Sequence, residues 1–154
     1  MSKKIYLDLD GTVYNLYKIE NWLPSLRNEE SGVFSQNQFI GDYREFLKEV
    51  YRLIDGGWSF GVITWLPMGA SPEYEQVCWE EKEQWINENL PFVNEVNICS
   101  YGIPKQNSVQ KRAKTMILID DNREVCEMWN TNKMRKSINV AKDFDIIAAL
   151  KTIE

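Results

Sequence analysis

Short apolar runs alternate along the chain with segments whose apolar positions recur every three to four residues. Residues 4–9, KIYLDL, predict a buried first strand. From Phe39 the apolar positions Ile40, Tyr43, Phe46, Leu47, Val50, Tyr51 and Ile54 fall at helical spacing, and Gly56-Gly57 supplies a stop. Residues 59–64, SFGVIT, predict a second strand ended by a threonine. Ser71-Pro72-Glu73 has the form of a helix start, with a capping serine, a proline in the first turn and an acid near the positive end. That helix is expected to reach Asn89, where Leu90-Pro91 breaks it. EVNICSY (95–101), TMILID (115–120) and INV (138–140) predict three more strands, and Phe144 to Leu150 a closing helix.

Strands alternating with helices predict one α/β domain over 1–154, a three-layer Rossmann-like arrangement with helices on both faces of a parallel sheet. Residues 14–35 break the pattern with two tyrosines, Trp22, Pro24 and the polar run RNEESG; they are expected to form a small lid or cap-like insertion. Right-handed crossovers would bring every strand's carboxyl end to the same edge, where such folds bind ligands.

Composition narrows the chemistry. The chain is 44% hydrophobic and 27% charged, as in ordinary globular proteins, with a net charge of −5. That charge gives no basic field to attract long nucleic acid, whereas a small phosphorylated molecule stays compatible if a metal reverses the local sign. Three cysteines, Cys78, Cys99 and Cys126, show no CxxC spacing and are expected to be reduced core thiols of a cytoplasmic protein. Neither a leader nor a membrane span is read from the sequence. Histidine is absent, which removes Ser-His-Asp and Cys-His catalysis and counts against zinc. Carboxylates, lysine, hydroxyls and hard metal ions remain.

Those groups gather at the strand ends. Asp8 and Asp10 follow the first strand, Thr64 ends the second, Lys105 lies past the third at the start of an expected helix, and Asp120 and Asp121 end the fourth. Four ionised aspartates and one lysine leave a charge of roughly −3, which raises carboxylate pKa values and opposes folding unless a cation enters. Magnesium suits a small set of carboxylate oxygens together with a phosphate oxygen. An aspartate nucleophile can accept a phosphoryl group, and a second carboxylate two residues on can exchange protons with the leaving alcohol and the attacking water. Lysine, threonine and the backbone N–H groups after the first strand can hold the phosphoryl oxygens. The plainer alternative is a set of ordinary polar strand ends.

Taken in order, DLDGT (8–12), the threonine of VITW, the lysine after the third strand and LIDD (118–121) resemble the four motifs of the haloacid dehalogenase (HAD) superfamily of phosphohydrolases. YLDLDGTVYN, EKEQWINENLPFV and ILIDDN are similar to its cytosolic 5′(3′)-deoxyribonucleotidase branch. The resemblance implies a magnesium-dependent phosphomonoesterase acting on nucleoside or deoxynucleoside monophosphates. It implies Asp8 as nucleophile and metal ligand, and Asp10 as general acid-base, binding the metal through its backbone carbonyl. Thr64 and Lys105 would hold the phosphate with Gly11 and Thr12. Asp121 would be a direct metal ligand and Asp120 its outer-shell partner. Lys111 is the alternative to Lys105, with Lys111 and Lys114 expected on a short solvated helix and its exit. The Asp8-to-Thr64 segment is short for a branch that carries a helical cap there.

Trp65, directly after Thr64, is expected either to stack a nucleobase or to pack; packing is favoured for Tyr14, Tyr17 and Trp22. Trp79, Trp85 and Cys99 are read as core or surface cover, and EEKEQ (80–84) as a solvated helix face. A small lid leaves room for a second subunit to shield the site, so a homodimer is considered alongside a monomer. The other functional classes are a HAD phosphatase acting on a polynucleotide end or a phosphoprotein, and a non-catalytic HAD-fold binding protein.

Overall fold

The structure, a computed structural model, describes residues 2–154. Five strands, β1 (Lys3–Leu7), β2 (Trp58–Trp65), β3 (Val93–Cys99), β4 (Thr115–Asp120) and β5 (Arg135–Asn139), form a parallel sheet in the order β3-β2-β1-β4-β5. The α/β Rossmann-like architecture expected from the alternation is therefore present. β1 is central, which explains its unbroken apolar run: Ile5 faces Phe60 on one neighbour and Ile117 on the other. The chain moves from β1 outward through β2 to β3, then returns to place β4 on β1's other side. That reversal opens a crevice at the carboxyl ends of β1 and β4.

The helices are α1 (Trp22–Arg27), α2 (Tyr43–Asp55), α3 (Pro72–Asn89), α4 (Arg123–Trp129) and α5 (Ile146–Lys151). Asp42 caps α2 by accepting from the N–H groups of Arg44 and Glu45, so the helix starts four residues later than its apolar spacing from Phe39 suggested. Phe46, Val50 and Leu53 are the buried stripe of α2, which joins α3 and α5 over one face of the sheet. Ser71 caps α3 through the N–H of Tyr74, and this helix keeps the bounds read from the sequence. The opposite face is covered by α4 and by the 100–114 connection, with Tyr6, Met116, Leu118, Val125 and Trp129 in contact beneath them.

Several expectations shift. β1 ends at Leu7, β3 at Cys99, and β5 begins at Arg135 rather than at residue 138. α4 was not foreseen: seven residues with Val125, Cys126 and Trp129 buried are too few to establish a period. The expected helix after Lys105 is only a 3-10 turn, Lys105–Asn107, and Lys111 and Lys114 lie on no helix. In place of a helix, a buried polar cluster fastens this connection. Glu95 on β3 accepts from Lys4, Tyr6 and Asn97 and from the N–H groups of Gln110 and Lys111. Cys99 is half-buried rather than core, with its thiol 3.3 Å from the Ser108 hydroxyl. No helix among the described residues is long and apolar enough to cross a membrane.

Candidate active site

Past the end of β1 the chain continues in sheet register for one residue, Asp8 N–H donating to Ile119 O, and then turns back. Leu9 O accepts from the N–H groups of Thr12, Val13 and Tyr14, closing a tight turn with Gly11 at φ +77°. A Cβ on Gly11 would lie 2.5 Å from Asp121 Oδ2 and from the Tyr17 ring, so glycine is required by conformation and by space. The turn brings Thr12 Oγ1 within 2.9 Å of Asp8 Oδ2, to which it donates.

β4 supplies the facing carboxylates. Asp120 Oδ1 accepts from Asn122 N–H at 2.9 Å and Oδ2 from Lys105 Nζ at 2.6 Å; the same ammonium donates to Asp8 Oδ1 at 2.8 Å. Oxygens of Asp8, Asp120 and Asp121 lie within 4.8 Å of one another. Burial, reinforced by Asp8, raises the carboxyls of Asp120 and Asp121 above the usual range, and the Lys105 pair does not fully offset this at Asp120. Burial alone would lower the Lys105 ammonium, but Asp8 and Asp120 outweigh it and hold its pKa up. Asp121 makes no ion pair with any side chain among the described residues. Hard oxygen donors, excess negative charge and a carboxylate without a cation together fit a divalent ion such as magnesium.

The third contribution comes from a residue that the sequence reading passed over. Lys82 on α3 is fully buried and donates to Asp10 Oδ2, Thr64 Oγ1 and Trp65 O, each at 2.8 Å. EEKEQ is therefore not a uniformly solvated face. Glu81 accepts from the N–H groups of Gly32 and Phe34, and Lys82 sits inside the fold with its ammonium 4.6 Å from the Phe34 ring. The available signal was spacing: Lys82 occupies a place in the apolar stripe Tyr74, Cys78, Trp85 and Ile86. A lysine in that row carries its charge inward.

Above these groups lies a cavity of about 320 Å³ with Asp8, Asp10, Lys105 and Asp121 at its base. Its wall is largely aromatic and aliphatic, including Tyr17, Trp22, Leu23, Trp65 and Tyr101, with Arg27 contributing a further cation. Trp65 donates its indole N–H to Ile103 O and rests against Tyr101 with ring centres 5.0 Å apart. Tyr14 and Trp85 are buried and packed on each other, and Tyr17, though half exposed, packs edge-on against Trp22 with ring centres 5.0 Å apart.

Of the sequence-selected residues, Asp8, Lys105, Asp120 and Asp121 come together in one cluster, and Asp10 and Thr64 meet at Lys82. The Asp10 carboxylate stands apart from the three-aspartate cluster, engaged by Lys82 instead. Thr64 is fully buried, and Gly11 and Thr12 line an adjoining hollow rather than the main cavity. Lys111 lies outside the site, exposed, with its N–H directed to Glu95.

Fold and site together define an α/β protein with an acidic, cation-demanding crevice at its sheet's switch point. No family model matches the chain, and no curated protein matches it in sequence. Among solved structures it is similar to the D,D-heptose 1,7-bisphosphate phosphatase of Burkholderia thailandensis. That match has 8% identity over 98% of this chain and 97% of the other, with a TM-score of 0.49. It is also similar to the HAD domain of the effector protein Lem4 of Legionella pneumophila, at 14% identity over 98% and 92% of the two chains and a TM-score of 0.45.

Proposed function

We propose that this chain is a magnesium-dependent phosphomonoesterase of the HAD type, acting on nucleoside monophosphates, with the deoxy series preferred. The observation that carries the reading is the meeting of Asp8, Asp10, Lys105, Asp120 and Asp121 in the lining of one cavity. The DLDGT and LIDD motifs support it independently.

A carboxylate oxygen of Asp8 bonds to phosphorus as the ester P–O bond breaks, and Asp10 delivers a proton to the departing alkoxide. Water then attacks the phosphorus of the acyl phosphate and loses a proton to Asp10. The bond from Asp8 to phosphorus breaks, and inorganic phosphate leaves. In this reading Lys105, 2.8 Å from Asp8 and lining the cavity, holds the phosphoryl oxygens, while the fully buried Thr64 supports the site from behind through Lys82. Asp8, Asp121 and the Asp10 backbone carbonyl would hold magnesium, with Asp120 beside them, and the ion would supply positive charge next to the transferred group. Residues 14–35 form the lid, and Trp65 with the lid aromatics receives the base.

The test is phosphate release from ribo- and deoxynucleoside monophosphates and p-nitrophenyl phosphate, with and without magnesium. Magnesium-dependent turnover, strongest on deoxynucleotides and lost in a folded Asp8→Asn variant, is the expected result. An Asp8→Asn enzyme as fast as wild type removes the nucleophile and the reading with it.

A further inference from the structure

We infer that Lys82 is a positioning residue for proton transfer at Asp10; this rests on the acid-base role given to Asp10 above. Lys82 is 0% exposed, and all three of its ammonium hydrogens are used: by Asp10 Oδ2, Thr64 Oγ1 and Trp65 O. Burying an ammonium is costly, and an apolar side chain at this place in the α3 stripe would pack without that cost. What an apolar residue cannot do is link the end of β2 to the turn after β1. Thr64 and the Trp65 carbonyl fix the ammonium from the β2 side, and the ammonium in turn fixes one oxygen of Asp10.

The two Asp10 oxygens are thereby made different. Oδ2 accepts from Lys82, whereas Oδ1 is buried and closes no hydrogen bond. By holding Oδ2 from beneath, Lys82 fixes the orientation of the carboxyl that gives the proton to the leaving alkoxide and later takes one from water. Asp10 lines the cavity, so this carboxyl is within reach of a bound ester. The buried Tyr14 hydroxyl lies beside this same carboxylate. Lys82 itself touches no substrate in this scheme. It restricts the rotation of the group that does.

The experiment compares kcat/KM for wild type, Lys82→Met and Asp10→Asn on p-nitrophenyl phosphate, phenyl phosphate and a deoxynucleoside monophosphate. This parameter covers the steps through phosphorylation of Asp8. p-Nitrophenolate leaves without a proton, whereas phenolate and the nucleoside alkoxide need one. Lys82→Met is expected to lose roughly 10²-fold on the two poor leaving groups and under about threefold on p-nitrophenyl phosphate, paralleling Asp10→Asn. Equal losses on all three esters overturn the positioning role while leaving the phosphatase reading intact. A folded wild type inactive on all three overturns that reading and this one together. Where Lys82→Met does not fold, Lys82→Arg carries the test. The guanidinium keeps a donor to Asp10 but cannot serve three acceptors from one nitrogen, so its leaving-group dependence falls between wild type and Asp10→Asn. A wild-type dependence at a lowered rate overturns the proposal.

Discussion

Gly11 turns the chain directly after the two carboxylates of DLDGT at φ +77°, against Asp121 Oδ2 and the Tyr17 ring. An alanine there adopts a left-handed conformation costing about 1–3 kcal/mol, and its methyl group displaces Asp121 or Tyr17. Gly11→Ala is therefore expected to lower the Tm by about 3–10 °C and to weaken magnesium binding, because the displaced atom belongs to the acidic cluster. Thermal melts across a magnesium titration check both effects; a lower Tm with unchanged magnesium affinity shows that Tyr17 moves instead. At this scale the motif residues were legible because their types and their strand-end places agreed. Lys82 was not, since a charge between two glutamates suggests solvent unless the helical stripe is followed through it.

Among elements, α3 does more than cover the sheet. Glu81 accepts from Gly32 N–H at 2.9 Å and Phe34 N–H at 3.1 Å, and Glu29 accepts from the N–H and hydroxyl of Ser71 at 2.7 and 2.8 Å. The segment 29–34 is thus fastened to the start and the middle of the helix that carries Lys82. Glu81→Ala removes the charged acceptor of two half-buried backbone N–H···O bonds, a loss of about 1–3 kcal/mol. Hydrogen exchange at Gly32 and Phe34 is expected to accelerate, with KM rising more than kcat falls. Unchanged protection at both amides would mean that the 3-10 turn at Phe34–Gln36 and the packing of Phe34 hold the segment by themselves. α3 was legible from its cap, its proline and its length. Helices α1 and α4 were not, being six and seven residues long, and neither was the 100–114 connection, whose order comes from the distant Glu95 rather than from local periodicity.

At the scale of the whole molecule, the site sets how stability responds to pH and metal. Asp120 and Asp121 carry raised pKa values, first through burial and then through Asp8, so the folded chain holds their protons more tightly than the unfolded chain does. Above about pH 4, the ordinary carboxylate value, the unfolded chain ionises first, and these two groups lower stability as pH rises toward their folded values. Lys105, held above its ordinary value, remains charged throughout this range and adds no opposing slope. A divalent cation takes the place of the protons, so its stabilisation grows as they become harder to keep. In EDTA the Tm is expected to fall between about pH 5 and pH 8, and saturating magnesium is expected to raise it more at pH 8 than at pH 5. Asp121→Asn removes the carboxyl that lacks an ion-pair partner, which flattens the EDTA slope and shrinks the magnesium shift. A magnesium shift of equal size at both pH values, or one retained in Asp121→Asn, would place the cation away from the three aspartates and leave their mutual repulsion to be relieved by Lys105 alone.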